Sequence, residues 1–218
     1  MIRVTIIDDE ALVRSGFTMM LNAAEDIEVV SASDGVTAMD VIARDRPDVV
    51  LLDIRMPQRN GMDILTDIRR LDAPPVVAIL TTFDSDDYIA RALREGAAGF
   101  LVKDTDPEQL PLLIRSLAAG GIALSSKVSR TVIDGYLGAG DRTAARLLKT
   151  LTQREREVLA RLSLGQSNTE IARRLHVSTG TVKDHVSAIL AKFGVTTRLQ
   201  AALVAERGGL NTRPMEHR

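Results

Sequence analysis

Three carboxylates, two threonines and a lysine stand at the ends of short apolar runs in this sequence. Asp8 and Asp9 follow RVTII, Asp53 ends VVLLD, Thr81 and Thr82 follow VVAIL, and Lys103 follows GFLV. A charge at the end of an apolar run is costly unless it is paired or reaches a surface opening. Clustered carboxylates with no histidine or cysteine among them suit a hard cation such as Mg²⁺, which takes oxygen ligands and keeps several waters. A cation there neutralises an incoming phosphoryl group, and Asp53 can then serve as the nucleophile that becomes an aspartyl phosphate. Lys103 balances the charge, and a threonine hydroxyl can donate to a phosphoryl oxygen. The residues alone do not choose between Thr81 and Thr82.

The elements that must position these groups follow an alternating pattern. β-Branched runs at 3–7, 27–30, 48–52, 76–80 and 99–102 are separated by helix-length segments. The third and fourth runs are apolar at nearly every position, as in strands covered on both faces. Leu12, Phe17, Met20 and Leu21 keep helical spacing between the first two runs. Asp106 as a cap, Pro107 at the first helical position and Gln109 at the third announce the last helix of the series. Five βα units predict an α/β fold with a five-stranded doubly wound parallel sheet. Such sheets place their sites outside the carboxyl ends of the strands, so the six residues share one rim.

At 218 residues with 45% hydrophobic content, the chain is long for one domain and comfortable for two. It has no cysteine, which excludes disulfides, thiol catalysis and thiolate metal sites. No run has the length or purity of a membrane span, and MIRVTIIDDE enters a strand without a signal-peptide pattern. A soluble cytoplasmic protein is expected. The net charge of −1 hides an asymmetry: residues 1–120 carry 21 acidic against 12 basic side chains, and residues 121–218 carry 8 against 16. An acidic half joined to a basic half suggests two tasks, the second on nucleic acid.

Residues 116–150 break the alternation. AAGG and GYLGAGDR flank SSKVSRTVIDGYL, which reads as a helix with Val128, Val132 and Tyr136 on one face of a linker. GAG at 138–140 is no dinucleotide loop, since it follows no strand and lacks the third glycine. After residue 151 strand signals vanish and four helices with short connections are expected, the first opened by Thr152 and Glu155 at capping-box spacing. In TVKDHVSAILAKF, Val182, Val186, Ile189, Leu190 and Phe193 form one buried stripe, with Ser178 as the cap. Lys183, Asp184 and Ser187 fall outside the stripe, and Thr181, His185 and Lys192 flank it. One anchored side and one side of donors and acceptors is what a helix in the major groove needs. Arg173, Arg174 and Arg198 offer phosphate contacts. From periodicity and charge alone, a DNA reader and a helical bundle for protein contacts stand level.

The stretches IIDDEALVR, VVLLDIRMPQRNG, AILTTF and GAAGFLVKD, in this order and on these strands, resemble the receiver domain of two-component response regulators. The whole chain resembles the NarL/FixJ branch. The resemblance implies that Asp53 accepts a phosphoryl group from a sensor histidine kinase, and that Asp8, Asp9 and Asp53 hold Mg²⁺ together with the Arg55 backbone carbonyl. It makes Thr81 the switch hydroxyl, Phe100 the switch aromatic and Lys103 the conserved-type lysine. Thr81 is then drawn to the phosphate, Phe100 turns inward, and the face at 84–119 changes shape. Asp104 follows Lys103 where many receivers carry proline, which leaves the isomer of that peptide open.

LTQREREVL, GQSNTEIARRL and TVKDHVSAILAKFGV resemble the LuxR-type helix-turn-helix over residues 148–205. By that resemblance Lys183, Asp184 and Ser187 face the bases, with Asp184 either accepting from cytosine or repelling phosphate. His185 packs the helix or meets phosphate; no second ligand lies at metal spacing from it. In RLQAALVAE, Leu199, Ala202, Leu203 and Val204 suit either a two-fold dimer or the domain's own core. The expected organisation is a receiver at 1–119, a linker with a helix at 120–147, a DNA-binding domain at 148–210 and a flexible tail at 211–218. The expected partners are a sensor kinase, double-stranded DNA with a two-fold site, RNA polymerase and a second copy on phosphorylation, with no membrane. The chain is expected to be a phosphoacceptor rather than an enzyme, with at most slow self-phosphorylation and autodephosphorylation. An aspartyl-phosphate hydrolase is the competing class, but such enzymes carry DxD after the first strand, where this chain has DDE, and no lid insertion is evident. A regulator indifferent to phosphate is the third, and the intact set of Asp8, Asp9, Asp53, Thr81 and Lys103 argues against it.

Overall fold

The computed structural model describes residues 1–81, 86–124 and 142–210. Two compact units emerge, one built on residues 1–118 and one on the C-terminal helices. Thr82, the linker helix with Val128, Val132 and Tyr136, the GAG stretch and the 211–218 tail lie outside the described residues.

The first unit alternates strand and helix: β1 Ile2–Ile7, α1 Ala11–Asn22, β2 Ile27–Ser33, α2 Ala38–Asp45, β3 Val49–Asp53, α3 Gly61–Arg69, β4 Val76–Thr81, α4 Asp86–Arg94, β5 Gly99–Val102, α5 Leu110–Ala118 and β6 Ala123–Leu124. All strands are parallel in the order β2-β1-β3-β4-β5-β6. The sheet has six strands where five were expected. The sixth pairs Ala123 with Gly99 and Leu124 with Phe100, and two residues are too few to show a strand period in sequence.

β3 explains the sheet's stability. Each of its five residues is buried, as a central parallel strand covered on both faces requires. Val49 and Leu51 pack with Val4, Ile6, Ala78, Leu80 and Leu101 against Phe17 and Leu21 of α1 and Leu110, Ile114 and Leu117 of α5. Val50 and Leu52 alternate to the opposite face and are equally buried. Leu12 departs from expectation: it is 84% exposed, because the core face of α1 is set by Phe17 and Leu21. α5 also begins later than expected. Asp106 Oδ1 accepts from the Glu108 N–H at 2.9 Å and closes a turn first, so the helix proper starts at Leu110.

The second unit contains α6 Arg142–Lys149, α7 Gln153–Leu162, α8 Asn168–Leu175, α9 Thr179–Phe193 and α10 Arg198–Arg207. α6 was assigned to the linker in sequence, yet it buries Ala144 and Leu148, so the helical unit reaches upstream of residue 148. The i, i+3, i+4 spacing of Ala144, Leu147 and Leu148 was the missed signal. Thr152 with Glu155, Ser167 with Glu170 and Thr197 with Gln200 form three capping boxes, each meeting two otherwise orphaned backbone donors. Val182, Ile189 and Phe193 of α9 are buried against Val158, Leu159, Leu162 and Ile171, with Val186 and Leu190 partly buried beside them. Ala202 packs in the helical core with Val204 partly buried beside it, and Leu199 and Leu203 are buried as well. No single described helix is long and apolar enough to cross a membrane.

Gly61 locks the β3 exit. A Cβ there would collide with the Asp53 carbonyl oxygen, while the Gly61 N–H donates to Ile54 O at 3.0 Å and Asn60 caps α3 through Met62 N. Gly61→Ala is expected to lower stability by about 1–3 kcal/mol, as overpacking does. Chemical denaturation of wild type and variant checks this.

Candidate functional site

The carboxyl ends of β1, β3 and β5 deliver a paired charge cluster. Carboxylate oxygens of Asp8, Asp9 and Asp53 lie within 4.8 Å of one another, with Asp8 and Asp53 buried and Asp9 exposed. Lys103 Nζ lies 2.9 Å from Asp8 Oδ2, 2.8 Å from Glu10 Oε1 and 3.0 Å from Asp53 Oδ2. The remaining Asp53 oxygen accepts from the Arg55 N–H at 3.1 Å. Asp8 Oδ1 accepts from the Glu10 N–H at 2.9 Å, and Arg14 grips the Asp8 carbonyl at 2.7 Å. Asp8 Oδ2 meets Lys103 as an ion pair without hydrogen-bond geometry, which leaves a buried acceptor unfilled. Oxygen donors with one unfilled buried acceptor fit a small divalent cation.

Burial pushes the Asp8 carboxyl above its ordinary value, against the opposing pull of Lys103 and the Glu10 N–H. Burial also pulls the Lys103 ammonium down, but Glu10, Asp8 and Asp53 together outweigh it and hold it above its ordinary value. Lys103 therefore stays charged and offsets the like-charge repulsion among the carboxylates.

A cavity of about 190 Å³ opens onto this cluster, lined by Glu10, Asp53, Ile54, Arg55, Leu80, Thr81, Tyr88 and Lys103. Thr81 stands at its wall, and its carbonyl accepts from the Lys103 N–H at 3.0 Å. The Arg55 guanidinium sits 5.8 Å over the Tyr88 ring. Phe100 of β5 is 0% exposed. No cis peptide occurs among the described residues, which makes the 103–104 bond trans. Glu10, Arg14, Gly61 and Tyr88 escaped the sequence reading. Only the run DDE carried a signal for one of them; the others depend on which side chains the topology brings near.

On the helical unit, Arg173, Arg174, Lys183, Asp184 and Ser187 are exposed, while Thr181 and His185 are half-buried. His176 caps α8 in the left-handed region at φ 54° and turns the chain into α9. Two of the residues expected at the DNA-binding face have protein partners. Lys192 binds both Glu155 oxygens, at 2.8 and 2.6 Å, and ties the end of α9 to the start of α7. Arg198 is buried, donating to Asn168 Oδ1 at 3.1 Å and Gln166 O at 2.6 Å. Burial lowers its guanidinium to about 10. Arg198 thus holds the loop before α8 instead of facing solvent.

Two family profiles match the chain: "Response regulator receiver domain" over residues 4–115 and "Bacterial regulatory proteins, luxR family" over residues 149–205. The transcriptional regulatory protein YxjL of Bacillus subtilis is 38% identical, covering 96% of this chain and 97% of its own. The oxygen regulatory protein NreC of Staphylococcus aureus is 35% identical over 90% and 93%. Among solved structures, the response regulator ChrA of a heme-sensing two-component system matches at 31% identity and TM-score 0.53, covering 96% of this chain and 98% of its own. The receiver domain of NarL from Mycobacterium tuberculosis matches at 33% identity and TM-score 0.52 over 55% and 97%.

Lys192 first, then the Thr152 N–H, hold the Glu155 carboxyl below its ordinary value of 4.5. A lowered carboxyl stabilises the fold above its unfolded value, and that contribution is lost as pH falls through the folded value. Glu155→Gln is therefore expected to cost the helical unit about 1 kcal/mol near neutrality, the upper scale of a lost ion pair to Lys192, since glutamine can still complete the capping box. The gap from wild type narrows below pH 4.5. Denaturant melts at stepped pH values check both the cost and its direction.

Proposed function

Because the chain belongs to the two-component response regulators that join a receiver to a LuxR-type DNA-binding domain, we propose that phosphorylation of Asp53 switches its control of transcription. The observation that carries this reading is Lys103 bridging Asp8 and Asp53 beside a cavity open to solvent. Asp8, Asp9 and Asp53, with the Arg55 carbonyl, are the groups that would hold Mg²⁺; bound there, it offsets the charge of the phosphoryl oxygens. An Asp53 oxygen attacks phosphorus as the P–N bond of a sensor kinase's phosphohistidine breaks, and the leaving imidazole keeps the electron pair. Lys103 stays charged and donates to a phosphoryl oxygen, and the Thr81 hydroxyl donates to another. The buried position of Phe100 supports a switch by selection: phosphate holds an arrangement that the chain already samples.

In the helical half, Lys183, Asp184 and Ser187 are the side chains offered to base edges, with Thr181 and His185 at the margins of that face. Arg173 and Arg174 supply phosphate contacts. Control then passes through dimerisation, through release of the recognition helix α9, or through both. Operator DNA with two-fold symmetry and RNA polymerase are the partners that this reading brings.

Intact mass after incubation with Mg²⁺ and phosphoramidate should show one phosphoryl adduct on the wild type. The adduct should vanish with chelation and never form on Asp53→Asn; a wild type that stays unmodified would sink the reading. For the helical half, Arg173→Ala should weaken binding to duplexes of any sequence and flatten the salt dependence by about one unit of slope. Arg198→Ala should lower stability instead and leave that slope unchanged, which titrations across a salt series will show.

A further inference from the structure

We propose that Glu10 is a releasable brake on the phosphoacceptor site: it occupies the Lys103 ammonium that an incoming phosphoryl group has to capture. The inference rests on the reading of Asp53 as the acceptor and adds a positioning residue to it.

An ammonium has three N–H donors, and Lys103 Nζ already faces three carboxylates at 2.8–3.0 Å. Two donors are committed to Glu10 and Asp53 while Asp8 crowds the ammonium as an ion pair, so a phosphoryl oxygen gains full access only when one of the three carboxylates lets go. Their exposures decide which one. The Asp8 side chain is 0% exposed and that of Asp53 is 6% exposed, whereas that of Glu10 is 59% exposed. Stranding a buried carboxylate leaves a desolvated charge unpaired, while an exposed carboxylate returns to water at little cost. Glu10 is therefore the partner that yields.

The local backbone suits Glu10 to this task. Its N–H is fixed on Asp8 Oδ1, so its Cα cannot drift from the rim. It occupies the N-cap position of α1, yet its side chain makes no cap hydrogen bond. The carboxylate is thus free of helix duty, lines the same cavity as Asp53 and bonds to Lys103.

An exposed ion pair of this kind is weak and screened by salt. The brake should accordingly slow phosphorylation by about 2–5-fold at low ionic strength, the range set by measured exposed pairs. Rising salt should ease it, because the Debye length falls from about 30 Å at ~0.01 M to about 3 Å at ~1 M.

The test follows adduct formation by intact mass with Mg²⁺ and phosphoramidate across that salt range. Glu10→Ala should react about 2–5-fold faster than wild type at low salt, and the wild-type rate should climb toward the variant's as salt rises. In a Lys103→Met background, Glu10→Ala should change nothing. An equal acceleration in that background would mean simple repulsion of the anionic donor and would overturn the brake. Should Lys103→Met not fold, the metal-free protein supplies the second readout: the Lys103 ammonium resonance should exchange faster in Glu10→Ala, and an unchanged resonance overturns the proposal. A wild type that forms no adduct removes the acceptor reading, and the brake goes with it. A wild-type adduct that forms at the same rate in Glu10→Ala removes the brake alone.

Discussion

Like charges that a fold forces together have to be neutralised, and most of the receiver unit follows from that constraint. Parallel pairing of β1 with β3 sets Ile7 beside Leu52, which brings the carboxylates that follow each strand within 4.8 Å. A lysine distant in sequence supplies a counter-charge. It comes from β5, 50 residues beyond Asp53, and reaches the cluster only because β4 and β5 dock in register with Thr81 beside Val102. The site is thus a test of the sheet's centre: a slip in β1, β3, β4 or β5 would leave a buried carboxylate without its cation, at a cost of several kcal/mol.

The helical half solves a different problem with local means. Its short helices are marginal alone, and three capping boxes offset the unmet backbone donors at their starts. Glu155 does two jobs there. It completes the box at Thr152 and anchors Lys192 at the far end of α9. The orientation of the exposed face of α9 therefore depends on a residue 37 positions earlier that never reaches that face.

Much of this was readable in advance. VVLLD announced a doubly covered strand because its first four positions are apolar, and Asp8, Asp9, Asp53, Thr81 and Lys103 at strand ends fell on one rim because parallel topology permits little else. What sequence missed depends on three-dimensional accidents of reach. Arg198 looks like a surface cation until Gln166 and Asn168 are seen to enclose it. Lys192 flanks the recognition stripe by spacing, but its ammonium is already spent on Glu155. β6 and α6 were hidden for opposite reasons, one too short to show a period and the other adjoining a glycine-rich stretch that reads as linker.

The two units also differ in how far apart in sequence their partners lie. In the sheet, Val4 meets Val49 and Val49 meets Val76, so long loops must close before any strand is rewarded. In the helical half each cap forms within four residues of its partner. Distant pairings slow folding and local ones speed it. The C-terminal half therefore recovers quickly from an unfolding event, while the N-terminal half sets the pace for the whole chain. During that interval the helices are formed while the charge cluster at the strand ends is not.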